Sequence, residues 1–127
     1  MFKLLRTLML VMPFLAAGQS LAAETAFDKA SFDKLQKEGK PILVSIHADW
    51  CPTCKAQEPI VADLLKTPEL GGITALRVDF DKQKSDVKRF KAQYQSTLIV
   101  FKGGKEVGRS TGDTNRESIA ALLKKAV

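Results

Sequence analysis

The stretch that decides the fold is "HADWCPTCKAQEP", His47 to Pro59, in which two residues separate two cysteines. The apolar run "PILVSIHA" precedes it, and from Cys51 apolar residues recur at helical spacing to about Leu65. This pattern predicts a buried strand that leads into a helix, with Cys51 at the junction. Unpaired backbone N–H groups at the start of that helix would face the first sulfur and favour its thiolate.

The spacing of the two cysteines points to redox chemistry. Cys51 and Cys54 are the only cysteines among 127 residues. A disulfide between them would close a very small loop and remove little entropy from the unfolded chain, so chemistry explains the pair better than stability does. Cys54 follows by about one helical turn, close enough to attack a mixed disulfide on Cys51 and release the partner. Trp50 would form an apolar platform beside the exposed sulfur.

Two alternatives to redox chemistry remain open. Zinc and iron sites held by protein alone usually need about four ligands, and one C-x-x-C motif with a single distant histidine supplies fewer. A metal-binding or metallochaperone module would therefore use Cys51 and Cys54 from two copies of the chain. A binding domain without catalysis is the other alternative. On the redox interpretation we expect no metal and no cofactor except the Cys51–Cys54 disulfide.

The first residues, "MFKLLRTLMLVMPFLAAGQSLAAET", resemble an export signal. Lys3 and Arg6 precede an apolar stretch, and small residues follow in an A-x-A-like arrangement. We expect a signal peptide over residues 1–22, cut after Ala22, and one domain over residues 23–127. The alternative is a membrane anchor, but Pro13 interrupts the run, which is shorter than the ~20 residues that a membrane span needs. The expected location is the periplasm, without membrane attachment after cleavage.

The charge pattern argues against a nucleic-acid partner. The net charge is +6 at pH 7, and removal of Lys3 and Arg6 with the signal peptide would lower it to +4. Basic and acidic residues alternate, as in "DFDKQKSDVKRFK", instead of forming a stripe of one sign. Such mixing is typical of a solvated surface.

Helices and strands alternate through the remaining chain. "SFDKLQKEGK" predicts a helix with Ser31 as its N-cap, "GITALRVDF" predicts a buried strand, and "DVKRFKAQY" predicts a helix with Val87, Phe90 and Tyr94 on one face. "TLIVFK", a glycine pair and "KEVGRST" predict an antiparallel hairpin. This order predicts an α/β fold with a central mixed sheet of four to five strands and helices on both faces.

The last predicted helix begins at a capping box. In "TNRES", Thr114 stands three residues before Glu117, and the apolar "IAALLKKAV" follows. The helix would close the domain against the sheet.

Several of these motifs together resemble the thioredoxin family. They are "ADWCPTCK", Pro59, "VDFD", "TLIVFKGGKEVGRSTG" and the closing helix, and they cover nearly the whole mature chain. The resemblance implies a thioredoxin fold and a thiol–disulfide oxidoreductase, with Cys51 attacking and Cys54 resolving. With the export signal, it implies a periplasmic reductant or electron relay. Its substrates would be exported proteins with disulfides, and its electron donor a membrane-bound thiol reductant.

The residues around the cysteines depart from the family pattern. Pro52 and Thr53 are closer to the proline-first pairs of glutaredoxins and oxidising enzymes, which leaves the direction of electron flow open. Where the family often has a buried aspartate that takes a proton from the resolving cysteine, this chain has Ser45. Glu58 could serve instead, because it lies four residues after Cys54 on the same helical face. Arg77 could neutralise it.

Other residues near the cysteine motif are candidates for modulating roles. His47 is expected on the strand face opposite Ile46, either near the cysteines or packed under the loop, and Lys55 adds positive charge beside Cys54. By alignment, Ser96 occupies the position of the family's cis-proline, with Thr97 after it, facing the active-site disulfide. A cis bond before a residue other than proline costs about 3–4 kcal/mol, so the bond before Ser96 is expected to be trans. We expect the Ser96 hydroxyl to bond to a sulfur or to a partner backbone, and metal to gain access where the proline is missing.

Overall fold

A computed structural model describes residues 24–127. The predicted signal peptide, residues 1–22, lies outside the described residues. The strands are β1 (Thr25–Ala26), β2 (Ile42–His47), β3 (Thr74–Asp79), β4 (Thr97–Lys102) and β5 (Lys105–Thr111). The helices are α1 (Lys29–Lys37), α2 (Pro52–Leu65), α3 (Lys84–Arg89) and α4 (Arg116–Lys124). Among these, no helix is both long and apolar enough to cross a membrane.

The sheet is mixed, as the sequence predicts. Its strand order is β1-β3-β2-β4-β5. β1, β3 and β2 run parallel, whereas β4 is antiparallel to both of its neighbours. β2 lies at the centre and is buried along its whole length. A strand that is covered on both faces is expected to be almost continuously apolar, which is the pattern of "ILVSIH".

Helices cover both faces of the sheet. Residues of α2 and α4 pack with Leu43 and Val100 on one face, and residues of α1 and α3 pack with Ile42 and Val44 on the other. The second face carries four buried phenylalanine rings, Phe27, Phe32, Phe90 and Phe101, and the centroids of the contacting pairs are 5.2 to 6.0 Å apart. Since side chains alternate along a strand, Ser45 faces α2, on the same side as Leu43.

The hairpin forms where the sequence predicts it. Gly103 and Gly104 join β4 to β5 and have φ angles of 59° and 79°. Two consecutive positive φ angles match the twist of a tight hairpin, and glycine adopts them without steric cost.

Two predicted N-caps are wrong by a few residues. The first helix begins earlier, and Asp28 rather than Ser31 is its cap, because the Asp28 carboxylate accepts bonds from both the backbone N–H and the hydroxyl of Ser31. The last helix is capped by Asn115 rather than Thr114, and the Asn115 side chain accepts from the backbone N–H of Ser118. Each error arose where several residues capable of capping stand close together.

The predicted third helix is also too long. α3 ends at Arg89, and Lys91 has a φ of 53°, which a right-handed helix cannot contain. Tyr94 is therefore not on a buried helical face, and 64% of it is exposed. Val87 and Phe90 are buried, as predicted.

Candidate functional site

Cys51 is the N-cap of α2. Its φ and ψ are −85° and 113°, and its sulfur accepts a bond from the Cys54 N–H at 3.2 Å. Pro52 takes the first helical position, where its missing N–H would have no partner in any case. Both thiols are free and buried, with exposures of 2% for Cys51 and 3% for Cys54, so the expectation of an exposed sulfur beside Trp50 is wrong. The local sequence therefore aims helical N–H groups at the first sulfur, as predicted.

Ser96 contacts both sulfurs. Its Oγ lies 3.2 Å from Cys51 Sγ and 3.0 Å from Cys54 Sγ. No peptide bond within residues 24–127 is cis, so the bond before Ser96 is trans, as expected. Ser96 has a φ of 60°, in the left-handed region that residues with a Cβ rarely adopt. The hydroxyl therefore takes part in the thiol site.

The backbone of Ser96 is bonded within the sheet. Its N–H donates to the Ile46 carbonyl at 2.8 Å, and its carbonyl accepts from the Gly112 N–H at 2.9 Å. These groups are satisfied inside the domain and are not free to meet a docking peptide in this arrangement. Bonds on both sides hold Ser96 in its left-handed conformation.

The two thiols differ in acidity. Burial tends to raise the pKa of Cys51, but hydrogen bonds from the Cys54 thiol, the Ser96 hydroxyl and the Cys54 N–H outweigh it, so the pKa of Cys51 lies below the ordinary value for a thiol. Burial raises the pKa of Cys54, and the hydrogen bond to Cys51 raises it further. Because the thiolate is the reactive form, the site can present Cys51 as the nucleophile while Cys54 keeps its proton.

Gln57 holds the Ser96 loop and was missed in the sequence. It is 5% exposed, and its Nε2 donates to the Asp113 carbonyl at 2.8 Å and to the Ser96 carbonyl at 3.3 Å. It stands four and seven residues before Val61 and Leu64, on the apolar stripe of α2. A polar residue within such a stripe needs a buried partner, and that was the signal available in the sequence.

A small cavity of about 10 Å³ lies next to Cys54 on the α2 side of the sheet. Ionisable side chains in its lining are Glu24, His47, Glu58 and Arg77. Arg77 Nη2 lies 2.8 Å from Glu58 Oε1, so the predicted ion pair is confirmed. The Arg77 hydrogen bond is the main reason why the pKa of Glu58 lies below its ordinary value.

The same arginine holds a second carboxylate that the sequence did not single out. Arg77 Nε and Nη2 lie 2.8 and 2.7 Å from Glu24 Oε2. Ser45 Oγ donates to Glu24 Oε1 at 3.0 Å. Glu24 precedes a two-residue strand that has no periodicity, and nothing in its local sequence marks it.

His47 lies on the predicted face of β2. It is 9% exposed, lines the cavity beside Cys54, and its Nε2 lies 3.2 Å from Asp49 Oδ1. Trp50 is 57% exposed, and its indole N–H donates to Asp81 Oδ2 at 2.7 Å. The Trp50 ring, which precedes Cys51 in the chain, is therefore mostly open to solvent while its N–H is bonded to Asp81.

The remaining candidates divide into surface and buried residues. Pro52 and Lys55 are exposed, and Thr53 is half-buried. Thr97 is 2% exposed, and its hydroxyl donates to the Tyr94 carbonyl at 2.8 Å, so it lies behind the loop. In the described part of the chain, no group of three or more His, Cys, Asp or Glu side chains is arranged to hold a metal ion.

Known proteins with similar sequences identify the family of this chain. The family model for thioredoxin matches residues 23–125. The chain belongs to the thioredoxin family. It is 36% identical over 84 residues to thioredoxin from Chlamydia trachomatis, covering 66% of this chain and 80% of that protein. It is 33% identical over 96 residues to Staphylococcus aureus thioredoxin, covering 76% and 90%.

A solved structure supports the same assignment. The crystal structure of Trxlp from Edwardsiella tarda matches with a TM-score of 0.77 and 37% identity, over 80% of this chain and 98% of that one. The thioredoxin fold predicted from the sequence is confirmed. Membership of the thioredoxin family implies thiol–disulfide oxidoreductase activity in general, and Cys51 and Cys54 lie together as a C-x-x-C pair.

Proposed function

We propose that the chain is a periplasmic thiol–disulfide oxidoreductase that works as a reductant or electron relay. The observation that carries the proposal is the C-x-x-C pair at the start of α2, where the Cys51 sulfur caps the helix and accepts a bond from the Cys54 N–H. The signal-like sequence of residues 1–22 supports export. Disulfides of exported proteins would be its substrates, and a membrane-bound thiol reductant would supply its electrons.

The reaction begins at Cys51. Its thiolate attacks one sulfur of a substrate disulfide, which forms a mixed disulfide and releases the other substrate sulfur as a thiolate. Cys54 then loses its proton and attacks Cys51, the Cys51–Cys54 disulfide forms, and the second substrate sulfur leaves. The substrate gains two electrons, and the cysteine pair loses them. Trp50 offers the substrate an apolar surface beside Cys51.

The activity is tested by reduction of a protein disulfide with dithiothreitol as the electron source. Cys51→Ser should abolish turnover, whereas Cys54→Ser should trap the mixed disulfide. Unchanged activity in Cys51→Ser would contradict the proposal and favour a binding domain without catalysis. Fractionation of cells that express the full chain, with a variant that lacks residues 1–22 as control, tests the location.

The direction of electron flow is tested by the equilibrium potential of the pair against glutathione. Related proteins span about −270 to −120 mV. A value near the negative end supports the reductant, and a value near the other end reverses that choice. The metal-binding alternative is tested in parallel: metal that stays on freshly reduced protein and is lost after alkylation of both cysteines would support it.

A further inference from the structure

Cys54 has to lose a proton before it can resolve a mixed disulfide, and it is buried. The ionisable groups that face it come from four parts of the fold. These parts are α2 with its N-cap, β2 with the residues after it, β3, and the segment before β1. In that order, the groups are Cys51 and Glu58, His47 and Asp49, Arg77, and Glu24. The base that receives this proton is expected among them.

Glu24 is held more firmly and buried more deeply than Glu58. Its side chain is 12% exposed, against 46% for Glu58. The Ser45 hydroxyl and two nitrogens of Arg77 bond to its two oxygens. The strand register explains why these three side chains meet. Arg77 pairs with Ala26 on one side and with Ser45 on the other, so their side chains lie on one face of the sheet. Glu24 stands two residues before Ala26, at the edge of the same face.

Glu58 is a weaker candidate for the base. Arg77 bonds to both carboxylates, so the arginine does not distinguish them. The difference is exposure, because Glu58 faces solvent for nearly half of its surface and is free to exchange protons with bulk water. The cavity between Cys54 and Glu24 has a volume of about 10 Å³, close to the minimum for one water molecule.

We propose that Glu24 accepts the Cys54 proton through one water, and that Ser45 and Arg77 hold its carboxylate at the cavity for this purpose. The proposal rests on the proposed oxidoreductase function. The Cys54 proton passes to the carboxylate through one water, the Cys54 thiolate attacks Cys51, and the departing thiolate of the partner recovers the proton. The Cys51–Cys54 disulfide forms as the mixed disulfide breaks, and no further reactant is needed.

The test is stopped-flow reaction of the reduced protein with dithiobis(nitrobenzoate), an aromatic disulfide that releases a coloured thiolate twice. The first release reports attack by Cys51, and the second reports resolution by Cys54. Glu24→Gln should slow the second phase about tenfold or more at pH 6 to 7 and leave the first within about twofold. The deficit should shrink as the pH rises, because hydroxide then removes the Cys54 proton.

This outcome differs from a simple effect of charge. Loss of a negative charge near Cys54 would by itself lower the pKa of that thiol and speed the second phase. Slower resolution in Glu24→Gln therefore requires loss of a proton acceptor. As a matched control, Glu106→Gln removes another arginine-paired carboxylate on β5, at Arg109, and should change neither phase. Circular dichroism checks that each variant is folded.

A relocated carboxylate gives a second test. In Glu24→Gln combined with Ser45→Asp, the charged group moves to the neighbouring side chain, and the second phase should recover. A folded double variant that stays as slow as Glu24→Gln contradicts the proposal. So does a second phase that Glu24→Gln leaves unchanged, or that slows in Glu58→Gln or Glu106→Gln alone. If the wild type lacks the first phase, the oxidoreductase function itself is wrong, and this proposal falls with it.

Discussion

The Ser96 hydroxyl should lower the pKa of Cys51, and Ser96→Ala tests this directly. The variant removes the oxygen that lies 3.2 Å from Cys51 Sγ and leaves the Cys54 N–H bond in place. A hydrogen bond to a charged group contributes about 1.5–3 kcal/mol. Since about 1.4 kcal/mol corresponds to one pH unit, the pKa of Cys51 should rise by about 1 to 2 units.

The expected change in rate is smaller than the change in thiolate population. At a pH below both pKa values, the thiolate fraction falls about tenfold to a hundredfold. A more basic thiolate is also a better nucleophile, which recovers part of the loss, so alkylation should slow about threefold to tenfold. The assay follows thiolate absorbance and iodoacetamide alkylation of Cys51 against pH, with mass spectrometry to identify the modified residue.

Two further variants complete this experiment. Ser110→Ala removes another buried hydroxyl, one that has no partner, and should leave the pKa of Cys51 unchanged. Ser96→Gly removes the same oxygen as Ser96→Ala, but it suits a φ of 60° and should raise the pKa without added backbone strain. If Cys51 titrates at the same pH in Ser96→Ala as in the wild type, the hydroxyl does not stabilise the thiolate and the reasoning is refuted.

Three other substitutions probe the surroundings of the site. Gln57→Leu leaves the Asp113 carbonyl without its side-chain donor and should lower the free energy of unfolding by about 1–3 kcal/mol, measured with urea. Trp50→Ala should raise KM for a protein disulfide and change stability by less than about 1 kcal/mol, because the side chain is mostly exposed; an unaltered KM would show that the ring does not meet substrate. Leu123→Ala opens a cavity under α4 and should cost about 2–5 kcal/mol in the same urea assay while leaving the pKa of Cys51 unchanged.

The sequence predicted those parts of the fold that depend on local signals. The apolar run before Cys51, the helix after it and the glycine pair of the hairpin each have a periodicity or a turn residue that specifies one structure. The N-cap errors at Ser31 and Thr114 came from runs of alternative caps, among which tertiary packing decides. Tyr94 was misplaced because the helical spacing of apolar residues continues past the left-handed residue that ends α3.

Only the part of the candidate site that depends on local spacing was predicted from the sequence. The position of Cys51 at the helix start and the shared face of Cys54 and Glu58 follow from spacing and were predicted, and Arg77 was named as the partner of Glu58. Glu24 was not, because its contacts depend on a two-residue strand that pairs with a segment about 50 residues away. Long-range pairing of so short a strand leaves no periodic pattern in the sequence.

The two edge strands of the sheet, β1 and β5, also affect the tendency to aggregate. At one edge, β1 offers only two residues for pairing with another chain. At the other, β5 carries the charged residues Lys105, Glu106 and Arg109 along a largely exposed strand, next to an irregularity in its register with β4. Short, charged and irregular edges discourage sheets of separate molecules from joining. Copies of this domain should therefore resist edge-to-edge polymerisation at high concentration.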